Sequence, residues 1–188
     1  MFTYSRTGYY IIFLYLIFEY ILKKAEKLKL NEIFSKIIKY TFIIFVMFSI
    51  IIAKYYQKNG LVDIINEILT GRVRFMNILI ENYPVPIIGS IKYHNIVIID
   101  SGYFTLLYEG GLIATIVFGY LSYKTGEFLE KRNMYPEIIF TFFVMCYALF
   151  ENFYMSMALN PTLLFFALYV FKGEEKNEQI SINNSTNI

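Results

Sequence analysis

The chain has one cysteine and one histidine in 188 residues. A lone cysteine, Cys146, cannot close an internal disulfide, and within an apolar run it reads as a small hydrophobe. One histidine and one cysteine cannot supply a ligand cluster with metal-site spacing, and no cofactor is expected. The N-terminus also lacks the marks of a cleaved signal peptide. Arg6 is the only basic residue before the first apolar run, and no small-residue cleavage site follows it. Net charge is +2, which says little by itself, and no nucleic-acid partner is expected. Where the charges fall says more.

Hydrophobic residues make up 57% of the chain and aromatics 20%, and the apolar residues are gathered into long runs. A soluble domain of this length would alternate them with polar ones, so the pattern points to a polytopic membrane protein. The fold class expected is all-α and integral to the membrane. It has about five transmembrane helices and one long extracytoplasmic loop that contains short helices.

Taken in order, the spans fall at about 7–22, 40–56, 102–123, 135–153 and 155–171. Residues 23–39 carry six lysines and two glutamates with apolar residues at rough helical spacing, which predicts a separate basic helix on the cytoplasmic interface. The external loop, 57–101, has four Lys or Arg, four Asp or Glu, and the histidine. A loop this long is usually functional or disordered, and this one is too apolar for disorder. Within it, Leu61, Ile64, Ile65, Ile68 and Leu69 mark one face of an amphipathic helix, with Val62 at its edge. Thr70 then reads as the cap of a second helix that runs toward Glu81 and stops before Pro84. The segment 124–133 has three basic residues and reads as cytoplasmic. Asn160-Pro161 marks a re-entry turn. The tail, 173–188, is polar, Asn-rich and expected to be disordered and cytoplasmic. Charge bias puts the N-terminus outside and the C-terminus inside. Such a start without a signal suggests the C-terminal part of a larger membrane protein, or a truncated copy.

Several polar residues stand out against this frame. Arg72 falls in the first turn of the helix that Thr70 would cap, where a cation opposes the helix dipole. It makes sense if an anion sits there, held by free N–H groups and the guanidinium. The plainer reading is an arginine that binds a lipid phosphate or a loop carboxylate. Arg74 is two residues on and points to another face, toward a different part of a ligand or toward water. His94 and Asp100 precede the third span, and either could accept a proton from a hydroxyl at the membrane surface. Asp100 also reads as a cap for that helix, and His94 as an interfacial residue. Glu19, Glu109 and Glu151 lie in or at the edge of apolar spans, where ionisable groups usually face a cavity or a partner. For Glu19 that partner is expected among the lysines that follow. Glu109 precedes Gly110-Gly111, which would let another backbone or a ligand approach closely.

In sequence, the chain has Leu69-Thr70-Gly71-Arg72, then Ile87-Ile88-Gly89, then Asp100-Ser101-Gly102-Tyr103 running into Leu106-Leu107 and Gly110-Gly111-Leu112-Ile113. Tyr147-Ala148-Leu149-Phe150-Glu151 and Asn160-Pro161 follow. This order resembles the C-terminal half of the Wzy-type repeat-unit polymerases of bacterial capsule, exopolysaccharide and O-antigen assembly. The resemblance covers roughly 40–171, and each motif is short and degenerate. It implies a multi-pass plasma-membrane protein acting on undecaprenyl-pyrophosphate-linked oligosaccharides at the outer face, alongside membrane lipids and other capsule-assembly proteins. A hydroxyl on one repeat unit would attack the anomeric carbon of the growing chain, and the lipid pyrophosphate would leave. The resemblance gives Arg72 the role of stabilising that pyrophosphate, and Asp100 or His94 the role of base. Arg74, Glu109 and Glu151 fall to substrate binding. The family is metal-independent and has about twice as many spans. Its usual residue before the span's glycine is not a glutamate. The alternatives are a non-catalytic membrane protein, such as a flippase or transporter fragment with Glu109 and Glu151 meeting at midplane, and an O-antigen ligase-like glycan transferase with His94 facing the arginine.

Overall fold

A computed structural model describes residues 13, 15–17, 20, 30–68, 71–90, 99–152 and 162–171. The regular structure among them is helical: α1 (Leu30–Lys54), α2 (Gly60–Ile68), α3 (Arg72–Asn82), α4 (Gly102–Thr105), α5 (Gly111–Lys131), α6 (Tyr135–Tyr147) and α7 (Thr162–Phe171). A π-helical turn, Leu106–Gly110, joins α4 to α5. Two stretches, Lys36–Lys54 and Gly102–Lys131, are long and apolar enough to cross a membrane.

The expected boundaries shift in several places. The basic helix at 23–39 and the span at 40–56 are not separate where described: 30–54 is one continuous helix. No proline or glycine interrupts that stretch, and its lysines ride on a helix that is already apolar. The third span continues to Lys131, so most of the expected loop at 124–133 is helix. The fourth ends at Tyr147, and Glu151 lies in the turns beyond it. Of the first span, only Phe13, Tyr15, Leu16, Ile17 and Tyr20 are described, all helical. The fifth is described only as Thr162–Phe171. Glu19 and the tail lie outside the described residues.

Helices α1 and α5 pack along a seam of small residues. On α5 the buried positions include Gly111, Thr115, Gly119, Ser122, Thr125 and Gly126. A Cβ added at Gly119 would meet the Phe42 ring, and one at Gly126 would meet Lys39 Cγ at 3.2 Å. The opposite face of α5 exposes Leu112, Ile113, Ile116, Val117 and Tyr120, and α1 exposes Ile43, Ile44, Met47 and Ile51. Small and hydroxyl residues inside with large apolar ones outside is the packing used between helices in lipid. One end of the pair is charged: Lys39 pairs with Glu130, and Glu127 accepts from both Lys124 and Lys131.

At the other end, α2 and α3 cover the tip of α1. The N-terminus of α2 is held by two side chains: Leu61 N–H donates to Asn59 Oδ1 and Gln57 N–H donates to Asp63 Oδ1, each at 3.0 Å. Its buried edge is Val62 with Ile65 packed beside it, whereas Leu61 and Ile64 are exposed. The expected apolar face is therefore split. Val62 and Ile65 join the core formed by Ile52, Val73, Met76, Phe104 and Tyr108, while Leu61 and Ile64 look outward.

The path between α4 and α5 breaks at Gly111, whose φ is +86° and ψ 174°. That break would leave backbone groups unpaired. An irregular strap, 86–90, pairs with them. Gly89 N–H donates to Gly110 O and Ser90 N–H to Tyr108 O, while Leu112 N–H donates to Pro86 O and Ile113 N–H to Ile87 O. The close approach expected at Gly110-Gly111 is thus made by a backbone, that of Gly89.

Candidate functional site

Three separate elements bring charged side chains together at the α2–α3 end. Arg72 is the first residue of α3. Its Nε lies 3.4 Å from Asp100 Oδ2, and its Nη2 lies 3.6 Å from Glu151 Oε1. The three side chains are 21%, 40% and 27% exposed respectively, so the cluster is half-buried and reachable from outside.

Each member is held by its neighbours in sequence. Val73 and Ile99, next to Arg72 and Asp100, are buried. Ser101 is 2% exposed, and its carbonyl accepts from Thr105 Oγ1 at 3.0 Å. Gly102 N–H donates to Ala148 O at 2.8 Å, which ties the start of α4 to the end of α6. Glu151 N–H then closes a turn onto Tyr147 O. The carboxylates of Asp100 and Glu151 therefore approach Arg72 from two chain segments that are bonded to each other.

The start of α3 corrects one expectation. Gly71, at φ +85°, occupies the cap position and offers no side chain, and Thr70 lies outside the described residues. The cap comes from a different helix: Asn66 Oδ1 on α2 accepts from Arg74 N–H at 3.0 Å, and Asn66 O accepts from Gly71 N–H. Asn66 had no signal in the sequence beyond its type, because the donor it serves is on another element. Asn66→Ala is expected to lower stability by about 1 kcal/mol, as loss of a helix cap does, read as a lower melting temperature in detergent.

Asp100 is also not the cap of the next helix. Ser101 takes that position, with no side-chain cap bond, and the Asp100 carboxylate is turned to Arg72. The anion that an arginine at a helix start calls for is supplied within the chain, by Asp100 and Glu151. Yet the guanidinium is not saturated. Its Nε is buried and makes no hydrogen bond among the described residues, because the 3.4 Å approach to Asp100 lacks hydrogen-bond geometry. With five N–H donors and two long contacts, Arg72 keeps donors for a further acceptor.

The remaining candidates divide. Arg74 is exposed and outside the ion pairs that define the cluster. Glu109 lies in the π-helical turn, half-buried, under the strap, and those ion pairs do not include it either. His94 lies outside the described residues. No group of His, Cys, Asp and Glu among the described residues could hold a metal ion. An apolar cleft of about 240 Å³, lined by Phe48, Ile52, Ile65, Met76, Leu149 and Phe150, opens next to Glu151 in the chain. A larger groove, about 420 Å³, runs between α1 and α5 from Phe42 to Tyr123, and its lining does not include the Arg72 cluster.

The chain matches no family model, no curated protein and no solved structure.

Proposed function

We propose that this chain is a multi-pass plasma-membrane protein acting on undecaprenyl-pyrophosphate-linked oligosaccharides at the outer face, as a repeat-unit polymerase or a truncated copy of one. The observation that supports this best is the under-coordinated Arg72 guanidinium beside the half-exposed Asp100 carboxylate. In the proposed reaction an acceptor hydroxyl attacks the anomeric carbon of the lipid-linked sugar. The bond from that carbon to the pyrophosphate oxygen breaks. Asp100 takes the hydroxyl proton, and Arg72 donates to the departing pyrophosphate, whose negative charge grows as the bond breaks. Glu151 balances Arg72 while no substrate is bound. The charged end carrying Lys39, Lys124 and Lys131 faces the cytoplasm, and the Arg72 end faces out.

Deleting the gene in its own host and separating the surface polysaccharide on a gel tests this. The wild-type chain is expected to restore a ladder of repeat lengths, whereas Arg72→Ala and Asp100→Asn leave single repeats. A ladder from the Arg72→Ala strain would remove Arg72 from the reaction.

A further inference from the structure

We infer that the strap from Pro84 to Ser90 lies at the outer boundary of the bilayer's hydrocarbon core, with the Ile87 and Ile88 side chains covered by lipid acyl chains, not by water. The inference rests on the membrane reading alone and needs no enzymatic role. Sequence patterning put this segment in an external loop. Its surroundings are those of a lipid-facing surface.

First, the strap is apolar where it is uncovered. Ile87 is 67% exposed and Ile88 is 78% exposed. No charged residue occurs between Glu81 and Lys92. Second, this surface continues an apolar face on a membrane-length helix. The strap bonds to Leu112 and Ile113, which are exposed and lead on to Ile116, Val117 and Tyr120 along α5. Third, part of the strap's irregular backbone is satisfied by protein, and the Val85, Ile87 and Ile88 N–H groups, which make no hydrogen bond among the described residues, call for the polar head-group region. Pro84 and Pro86 have no N–H to satisfy. Gly89 and Ser90 N–H groups, and the Pro86 and Ile87 carbonyls, are bonded to the helix break. Tyr83 O accepts from Tyr108 Oη at 3.2 Å. Lipid-exposed irregular backbone does not occur inside the hydrocarbon region, so the strap sits at its edge.

Height along the bundle agrees. Gly126 packs against Lys39, within the charged belt at the opposite end. From Gly126 to Leu112 the helix rises about 21 Å at 1.5 Å per residue. The hydrocarbon core is about 30 Å thick. The strap thus falls near the slab's outer boundary.

The chain has no tryptophan, so a single introduced one reports without background. Ile88→Trp, Ile87→Trp, Tyr120→Trp as a lipid-facing reference and Lys58→Trp as an aqueous one would each be placed in phosphatidylcholine vesicles. Acyl chains brominated near the head group provide the quencher. Ile88→Trp and Ile87→Trp are expected to show blue-shifted emission, to lose most of it in brominated lipid, and to resist aqueous acrylamide, as Tyr120→Trp does. Both positions are exposed, so the larger ring meets no packed neighbour. Red-shifted emission at both, quenched by acrylamide while Tyr120→Trp responds to bromine, would overturn the inference. If Tyr120→Trp is also indifferent to bromine, the membrane reading fails and takes the inference with it.

Discussion

Replacing Gly89 by alanine is expected to detach the strap and destabilise the end of the molecule that holds it. A Cβ at Gly89 would lie 1.8 Å from Glu109 O, 2.3 Å from Glu109 C and 2.5 Å from Gly110 C. These are backbone atoms, so no side-chain rotation relieves the overlap. Either the strap leaves or the helix break reshapes. Leaving forfeits the four hydrogen bonds that join 86–90 to 108–113. At roughly 1 kcal/mol net each in water, and more where water is excluded, the loss is about 4 kcal/mol or more. Gly111→Ala should be comparably severe. It combines φ +86° with a Cβ only 2.5 Å from Gly89 N. Two further glycines calibrate the scale. Gly71→Ala meets open space but keeps φ +85°, so about 1–2 kcal/mol of left-handed strain is expected. Gly60→Ala meets nothing and has ordinary φ, so its melting temperature should stay near wild type. Thermal unfolding of the four variants in detergent gives the order. A wild-type melting curve for Gly89→Ala would refute the strap's packing against the helix break.

Arg72→Ala is expected to lose the chemistry of the site while costing modest stability. Removing the guanidinium leaves Asp100 and Glu151 without their shared cation. In a fully buried cluster that would cost about 3–5 kcal/mol, but these side chains are 21–40% exposed and solvent screens them. About 1–2 kcal/mol is the expected loss. Pyrophosphate binding is a different quantity. A charge-assisted hydrogen bond contributes about 1.5–3 kcal/mol, so affinity should fall by about tenfold to a hundredfold. Arg72→Lys keeps the charge and loses the planar fork. It should retain most of the stability and still bind about tenfold more weakly. A triple variant, Arg72→Met with Asp100→Asn and Glu151→Gln, removes all three charges. It should recover stability without recovering binding. If stability and binding fall and recover together through this series, the cluster is only structural.

The legible part of this fold was its apolar periodicity, which exposes α1 and α5 as membrane-length helices whatever their exact ends. Arg72 was legible for a related reason: a cation at a helix start needs a partner, and the need can be seen before the partner is. Asp100 was a site candidate in its own right, although its position just before the next helix also suggested a capping role that Ser101 takes instead. Glu151 was read as part of a span because its neighbours are apolar. The turns at 148–150 that carry it to Arg72 depend on the bond from Gly102 to Ala148, a contact between distant segments. Gly110-Gly111 announced a close approach, but not by what. The answer, Gly89, is some twenty residues upstream, in the Ile87-Ile88-Gly89 motif of the long loop, where nothing local shows what it packs against. Helix continuity across 30–54 was missed because lysine runs suggest a boundary, whereas lysine is a good helix former and snorkels.

The central claim is that Arg72 holds a lipid-linked pyrophosphate. Native mass spectrometry of the full chain in nanodiscs, titrated with undecaprenyl pyrophosphate and with undecaprenyl monophosphate, tests it most directly. Wild type is expected to bind the pyrophosphate at least tenfold more tightly than the monophosphate, with Arg72→Lys reducing that preference and Arg72→Ala abolishing it. Equal binding of both lipids by wild type and Arg72→Ala would contradict the account.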